Sequence, residues 1–215
     1  MNNDIECRIE DGFVGTVKGV ISTIPGASIL VSAYEEMQSG IYKRRMDEWK
    51  EAVEERLGKL ENDVVNSLPN NDIFATVLLI SAQLALKTNK VKAPLLANAV
   101  SNAATTTIAE ERIVIMLNCF EKYTIQHLRL LRFLQNPKAY SPKGSYIGGS
   151  PMTIYNDYYP ERDKSLDNIV IRDLYTDGFI STNSLSTTVT STGMIEKCTT
   201  KLGDDMIDFF GIEKM

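Results

Sequence analysis

The chain has 215 residues, 43% hydrophobic and 24% charged, with 23 Lys and Arg against 28 Asp and Glu, a formal charge of −5 at pH 7. This balance excludes a generic polycation and excludes disorder along the whole length, and the size fits one large domain or two small ones. Cys7, Cys119 and Cys198 lie far apart without CxxC spacing, and the odd number leaves at least one thiol outside any internal disulfide. A reducing compartment follows, and the acidic opening MNNDIECRIEDG lacks the basic start of a secretory signal, so the expected localisation is cytoplasmic.

The first apolar stretch, residues 13–33 (FVGTVKGVISTIPGASILVSA), has the length of a bilayer span. Lys18, the helix-breaking Pro25-Gly26 and the Ser, Thr and Gly content argue against insertion, leaving two short buried helices joined at Ile24-Pro25-Gly26 as the expectation. From Tyr42 to Leu68 the residues Tyr42, Met46, Trp49, Val53, Leu57, Leu60, Val64 and Leu68 recur at steps of three and four, which predicts one long amphipathic helix. Lys43, Arg44, Arg45, Lys50 and Arg56 alternate with acids on its other face, the pattern of a solvated surface.

After the turn-forming Pro69-Asn70-Asn71-Asp72, in which Asn71 or Asp72 is a candidate helix cap, residues 73–88 are apolar on nearly every face and predict a buried helix. Pro94 suits a first helical turn, and Ala97, Ala99, Ala103 and Ala104 permit close helix approach. Residues 108–135 predict two helices with Thr124 as the cap between them. Three prolines and three glycines in residues 136–151 predict an irregular loop. A short aromatic segment at 154–159 follows, then a helix over about 165–177 stopped by Gly178, a Thr/Ser-rich strand region over 179–200 and a last helix over about 202–210. The fold class expected is mainly α, a multi-helix region over 1–108 followed by a winged-helix-like α+β module over 109–215 with a small β-hairpin and the loop 136–151.

Residues carry that last expectation by resemblance. HLRLLRFLQNP (127–137) resembles the opening helix of a winged helix-turn-helix, IRDLYTDGFI (171–180) the end of its recognition helix, and CTTKLGDDMIDFFG (198–211) its closing stretch. A wider pattern resembles a family of uncharacterised bacterial helical proteins with such a C-terminal module: Ile24-Pro25-Gly26, Lys43-Arg44-Arg45 with Trp49, residues 98–103 (NAVSNA) and residues 127–131 (HLRLL). That arrangement is in turn loosely similar to abortive-infection-associated proteins, which implies a possible place in phage defence and no catalytic residue.

A DNA-binding module would need cations, and residues 151–215 hold six Lys and Arg against eleven Asp and Glu. A protein-binding winged helix is therefore expected over a DNA-binding one. No metal or catalytic motif stands out. His127, the single histidine, has Leu131 where a zinc pair would need a second ligand, and suits helix packing. The glycine-rich residues 144–150 lack the order of a phosphate loop, and Asp204, Asp205 and Asp208 lack a second carboxylate helix. No enzyme, cofactor or metal is expected.

The leading expectation is a non-enzymatic adaptor that binds a protein partner or itself, with Phe13, Val17, Ile21, Ile29, Leu30, Trp49 and Val53 as contacts and the acidic winged helix as a second surface. The first alternative is a winged-helix transcriptional regulator touching nucleic acid through Lys164, Arg172, Lys197 and Lys201. The second is a membrane-acting effector working through residues 13–33.

Overall fold

The computed structural model describes residues 40–88, 90–141 and 148–212. Among these are ten α-helices and one two-stranded antiparallel sheet, in two compact units that divide between Glu121 and Lys122. The segment 13–33, with Phe13, Val17, Ile21, Ile29 and Leu30, lies outside the described residues.

In the first unit, α1 (Ile41–Leu57) buries Met46, Trp49, Val53 and Leu57, the predicted stripe. The single long helix expected to Leu68 is broken, however. Gly58 donates its backbone N–H to the Glu54 carbonyl at 2.9 Å, and Lys59 and Leu60 close three-residue turns at 3.1 Å each, tightening the helix until Glu61 turns extended. Glycine is a poor helix former, and such turns are the usual way a helix end uses its orphan groups. The second piece, α2 (Asn62–Ser67), therefore starts in a new register that buries Val65 and leaves Val64 half-exposed.

A 3-10 turn, Leu68–Asn70, leads to α3 (Asp72–Lys87), where Asn71 Oδ1 accepts from the Phe74 N–H at 2.8 Å and its Nδ2 donates to the Ala104 carbonyl at 3.3 Å. The cap thus also ties α3 to the end of α4 (Ala93–Ala103), whose first turn holds Pro94. Ala93, Ala97, Ala99 and Ala103 are buried, and α4 makes broad contact with both α1 and α3 because side chains this short let the backbones approach. Two arginines expected on the solvated face instead reach across: Arg45 donates to the Leu86 carbonyl at the end of α3, 2.8 Å away, and Arg56 to Asn98 Oδ1 of α4. Helix C-terminal carbonyls attract such cations. The following helix, α5 (Glu110–Lys122), runs beside α3, linked by Thr76 to Glu110 and by Lys87 to Glu121 at 3.2 and 2.7 Å.

The second unit opens with α6 (Ile125–Gln135). A 3-10 turn at Pro137–Tyr140 and strand β1 (Gly148–Gly149) occupy part of the stretch expected to be irregular, and α7 (Pro151–Tyr158) absorbs the aromatic segment. After a second 3-10 turn, Lys164–Leu166, comes α8 (Asp167–Thr176). The Thr/Ser-rich region 179–200 is mostly not strand. It holds β2 (Val189–Thr190), a short helix α9 (Ser191–Met194) and a single bridge between Ile180 and Thr199. The expected local hairpin is replaced by a sheet that pairs β2 with β1, Gly148 opposite Thr190 and Gly149 opposite Val189, with α7 and α8 between them in sequence. Met152 N–H to the Leu185 carbonyl at 3.1 Å extends this link.

The end of α8 and the start of α10 (Lys201–Phe210) lock together. Gly178, at φ +81°, lets the chain reverse so that Phe179 and Gly178 donate to the carbonyls of Leu174 and Tyr175 at 2.9 and 3.0 Å, the paired bonds of a Schellman stop. Phe179 then accepts from the Thr200 N–H at 3.0 Å, while Thr200 Oγ1 caps α10 by accepting from Gly203 N–H at 3.2 Å and donates to the Gly178 carbonyl at 2.6 Å. Gly203 is needed here by close approach: a Cβ would sit 2.2 Å from the Phe179 carbonyl oxygen. We expect Gly203→Ala to destabilise the second unit by about 2 kcal/mol or more, since backbone has to move. Urea denaturation should show it losing more than Gly178→Ala, where strain at positive φ costs about 1 kcal/mol.

Candidate functional site

The turn between α7 and α8 is built around Arg162, whose side chain is 3% exposed. Its Nη2 lies 2.6 Å from Asp167 Oδ2 and its Nε 2.9 Å from Asp167 Oδ1, a two-toothed pair between fork and carboxylate. The same guanidinium donates to the Tyr159 carbonyl at 3.0 Å and to Asn156 Oδ1, and lies 4.5 Å from the Tyr155 ring centroid. Gln126 of α6 completes the arrangement, donating to Asp167 Oδ1 at 2.9 Å and to the Asp163 carbonyl at 3.0 Å. One cation thus joins the end of α7, the connecting turn and the start of α8, and Gln126 anchors them to α6.

A second polar cluster holds the other end of α8. Tyr123 and Lys122 both donate to Asp177 Oδ2, at 2.8 and 2.7 Å. His127, 5% exposed, stacks on Tyr123 with centroids 4.8 Å apart and accepts the Thr124 N–H on Nδ1 at 3.1 Å. This leaves the ring proton on Nε2, which points toward Asp173 Oδ2 at 3.7 Å, too long for a hydrogen bond. Burial holds the His127 pKa below its ordinary 6.5, opposed by Asp173. Lys122 and Tyr123, at the junction before α6, thus fasten the end of α8, while Thr124 and His127 cap α6 itself, and the buried, stacked histidine packs between the helices.

These two anchors fix which face of α8 points outward. Val170, Ile171 and Leu174 are buried, whereas Leu166 at the helix entrance is 36%, Ile169 43% and Tyr175 45% exposed. Three of the large hydrophobic side chains exposed among the described residues therefore lie on α8 and its entrance, Ile169 about 60° around the axis from Leu166 and about 120° from Tyr175. Arg172, on the same face, lies 3.2 Å from Asp173 Oδ1.

The other sequence candidates are distributed differently. Trp49 and Val53 are 6% and 2% exposed on α1 and belong to the core of the first unit, where α1 packs against α4. Lys197 is bound to Asp204 and Lys201 to Asp205, each at 2.6 Å. Asp204 also accepts from Thr199 at 2.7 Å, so these carboxylates are engaged by their neighbours. Of the four nucleic-acid candidates, Lys164 alone is in no ion pair among the described residues. Cys119 and Cys198 are both half-exposed, and burial pushes the Cys198 thiol pKa up, away from the reactive thiolate. Lys92 is 5% exposed, donates to the Phe120 carbonyl at 2.5 Å and has its pKa lowered to about 8 by burial. Among the described residues no group of three His, Cys, Asp or Glu side chains is arranged to hold a metal, and no helix is long and apolar enough to cross a membrane.

The charge of the second unit also differs from the sequence expectation, because it begins at Lys122 rather than near Pro151. Lys122, Arg129, Arg132, Lys138 and Lys143 enter without a single acid before Asp157, so residues 122–215 hold eleven cations and eleven anions. The module is neutral as a whole, and the excess of five negative charges belongs to residues 1–121. No protein-family model, curated protein or solved structure matches the chain.

Two outcomes follow from the anchors of α8. Arg162→Ala leaves the largely buried Asp167 carboxylate without its partner and should cost about 3–5 kcal/mol, with Asp167→Asn in the same chain recovering part of the loss in denaturant melts. Because folding depresses the His127 pKa, the unfolded chain takes up the proton first as pH drops. His127 therefore stabilises the fold fully above pH 6.5 and progressively less below it. Replacing it with Gln should flatten the stability profile just below pH 6.5, and an unchanged slope there would contradict the assignment.

Proposed function

We propose that this protein is a non-enzymatic, cytoplasmic interaction protein whose second unit is a winged-helix-like module that self-associates through the outer face of α8. The module reading is supported by the order helix α6, strand β1, helices α7 and α8, and then the paired segments at Ile180 and Thr199. In that order α8 occupies the place of a recognition helix.

The observation that carries the functional reading is the composition of the outer face of α8. A helix that enters a DNA major groove meets phosphates and base edges with cations and amides. Here Leu166, Ile169 and Tyr175 are exposed instead, and the cation beside them, Arg172, lies against Asp173. Exposed apolar side chains of this size, set around a polar centre of Asn168, Arg172 and Thr176, are the chemistry of a protein contact. Two features favour a second copy as the partner. A short helix surface meets itself when two copies cross about a two-fold axis, and a unit with equal numbers of cations and anions feels no net repulsion from its twin.

Light scattering on size exclusion tests the proposal. The intact chain is expected at twice its monomer mass, Ile169→Glu at the monomer mass, and Lys59→Glu, an exposed position in the first unit, at the mass of the intact chain. Circular dichroism on each variant separates lost association from lost folding. A monomeric intact chain, or an Ile169→Glu chain that still associates, would overturn it.

A further inference from the structure

The acid-free stretch from Lys122 to Asn156 contributes a surface unlike the rest of the second unit. On α6, Arg129 is exposed and its guanidinium carbon lies 5.7 Å from the Tyr159 ring centroid. Tyr159 contacts Tyr158 at 4.9 Å and Tyr140 at 6.3 Å, and Tyr140 and Tyr158 meet edge to face at 4.6 Å with an interplanar angle of 87°. Tyr158 is 55% exposed, Tyr140 and Tyr159 are half-buried, and Lys138 is exposed two residues before Tyr140. Beneath them Phe133 and Tyr155, both buried, support the cluster at 5.4 Å from Tyr140 and 5.2 Å from Tyr159. Three tyrosine rings in different orientations are thus held on a firm floor beside exposed cations.

We propose that this tyrosine and arginine surface, Arg129, Lys138, Tyr140, Tyr158 and Tyr159, binds single-stranded nucleic acid. The argument is chemical. Unpaired bases stack on aromatic rings regardless of sequence, and the phosphates between them require nearby cations. Both kinds of group are present: Tyr158, 55% exposed, is the ring most open to a base, and Arg129 and Lys138 are the exposed cations of the same stretch. A duplex hides its base faces, so these rings have nothing to stack on there. An anionic membrane would satisfy the cations but calls for exposed aliphatic side chains beside them. The large exposed aliphatic residues among those described, Ile41, Val91, Ile115, Leu166 and Ile169, all lie outside the stretch that forms this surface. The nearest acids in sequence, Asp157 and Glu161, flank Tyr158 and Tyr159 and are exposed.

Fluorescence anisotropy with the full chain at low salt tests the proposal, using labelled oligothymidylate and an abasic strand of equal length and charge. We expect oligothymidylate to bind at least tenfold more tightly than the abasic strand. Tyr158→Ala is expected to weaken oligothymidylate binding about fivefold or more, the scale of one lost stacking contact. Arg129→Gln and Lys138→Gln should each weaken it and reduce the steepness of the salt dependence, by about 0.7 in the log–log slope per cation. All three positions are exposed, and circular dichroism verifies that the variants fold. Equal affinity for the abasic strand, binding to phosphatidylserine vesicles with none to the oligonucleotide, or affinity unchanged by Tyr158→Ala would each overturn it.

Discussion

The pair between Arg162 and Asp167 is the contact on which the second unit depends. A guanidinium with a side chain 3% exposed cannot be left without partners in an apolar setting, and here its donors are spread over Asp167, Tyr159 and Asn156. Satisfying them draws the end of α7 and the start of α8 to one point. The angle of α8 follows, and with it the choice of which residues are buried and which face outward. At the far end, Gly178 and Gly203 perform the complementary task without charge, allowing the backbone of residues 178–179 to meet the start of α10 at a distance that no side chain permits. The Arg162 pair at one end, and at the other a close backbone contact beside the Lys122–Asp177 pair, hold the same helix.

That placement gives the charge pattern its meaning. Arg162 is consumed internally, Lys197 and Lys201 neutralise the first carboxylates of α10, and Arg172 lies against Asp173. The cations around α8 and α10 are thus mostly committed to acids of the same unit. Those of α6 and the following turn come from a stretch of sequence without acids, beside tyrosines rather than aspartates. The unit is neutral in sum and divided in detail: exposed apolar side chains on and before α8, and tyrosines of the 137–140 turn and the end of α7 beside Arg129 of α6. Net charge alone conceals that division, and a count that starts at Pro151 inverts the conclusion about where the acidity lies.

Much of the helical framework is legible in the sequence because it rests on local signals. Asn71, Thr124 and Thr200 stand before helices, Pro94 falls in a first turn, and Gly178 ends α8, each through chemistry within four residues of the position. Periodicity found the buried side of α1 but not its end, since Gly58 breaks the helix while Leu60, Val64 and Leu68 keep the rhythm going in the text of the sequence. The β1–β2 sheet was hidden for the opposite reason: two strands of two residues each, one of them Gly-Gly, have no periodicity, and their pairing joins segments separated by two helices. The functional residues were harder still. Trp49 and Val53 look like a docking stripe until α4 is seen to cover them, whereas Leu166, Ile169 and Tyr175 acquire significance only when Arg162 has oriented α8.

The central claim, that the outer face of α8 meets the same face of a second copy, is tested most directly by disulfide trapping. With Cys7 and Cys198 changed to Ser and Cys119 to Ala, Ile169→Cys should form a covalent dimer rapidly under mild oxidation, because isologous contact brings the two thiols together across the axis. Lys59→Cys in the same background, on an exposed position of the first unit, should stay monomeric. Equal trapping at both positions, or none at Ile169→Cys, would contradict the account.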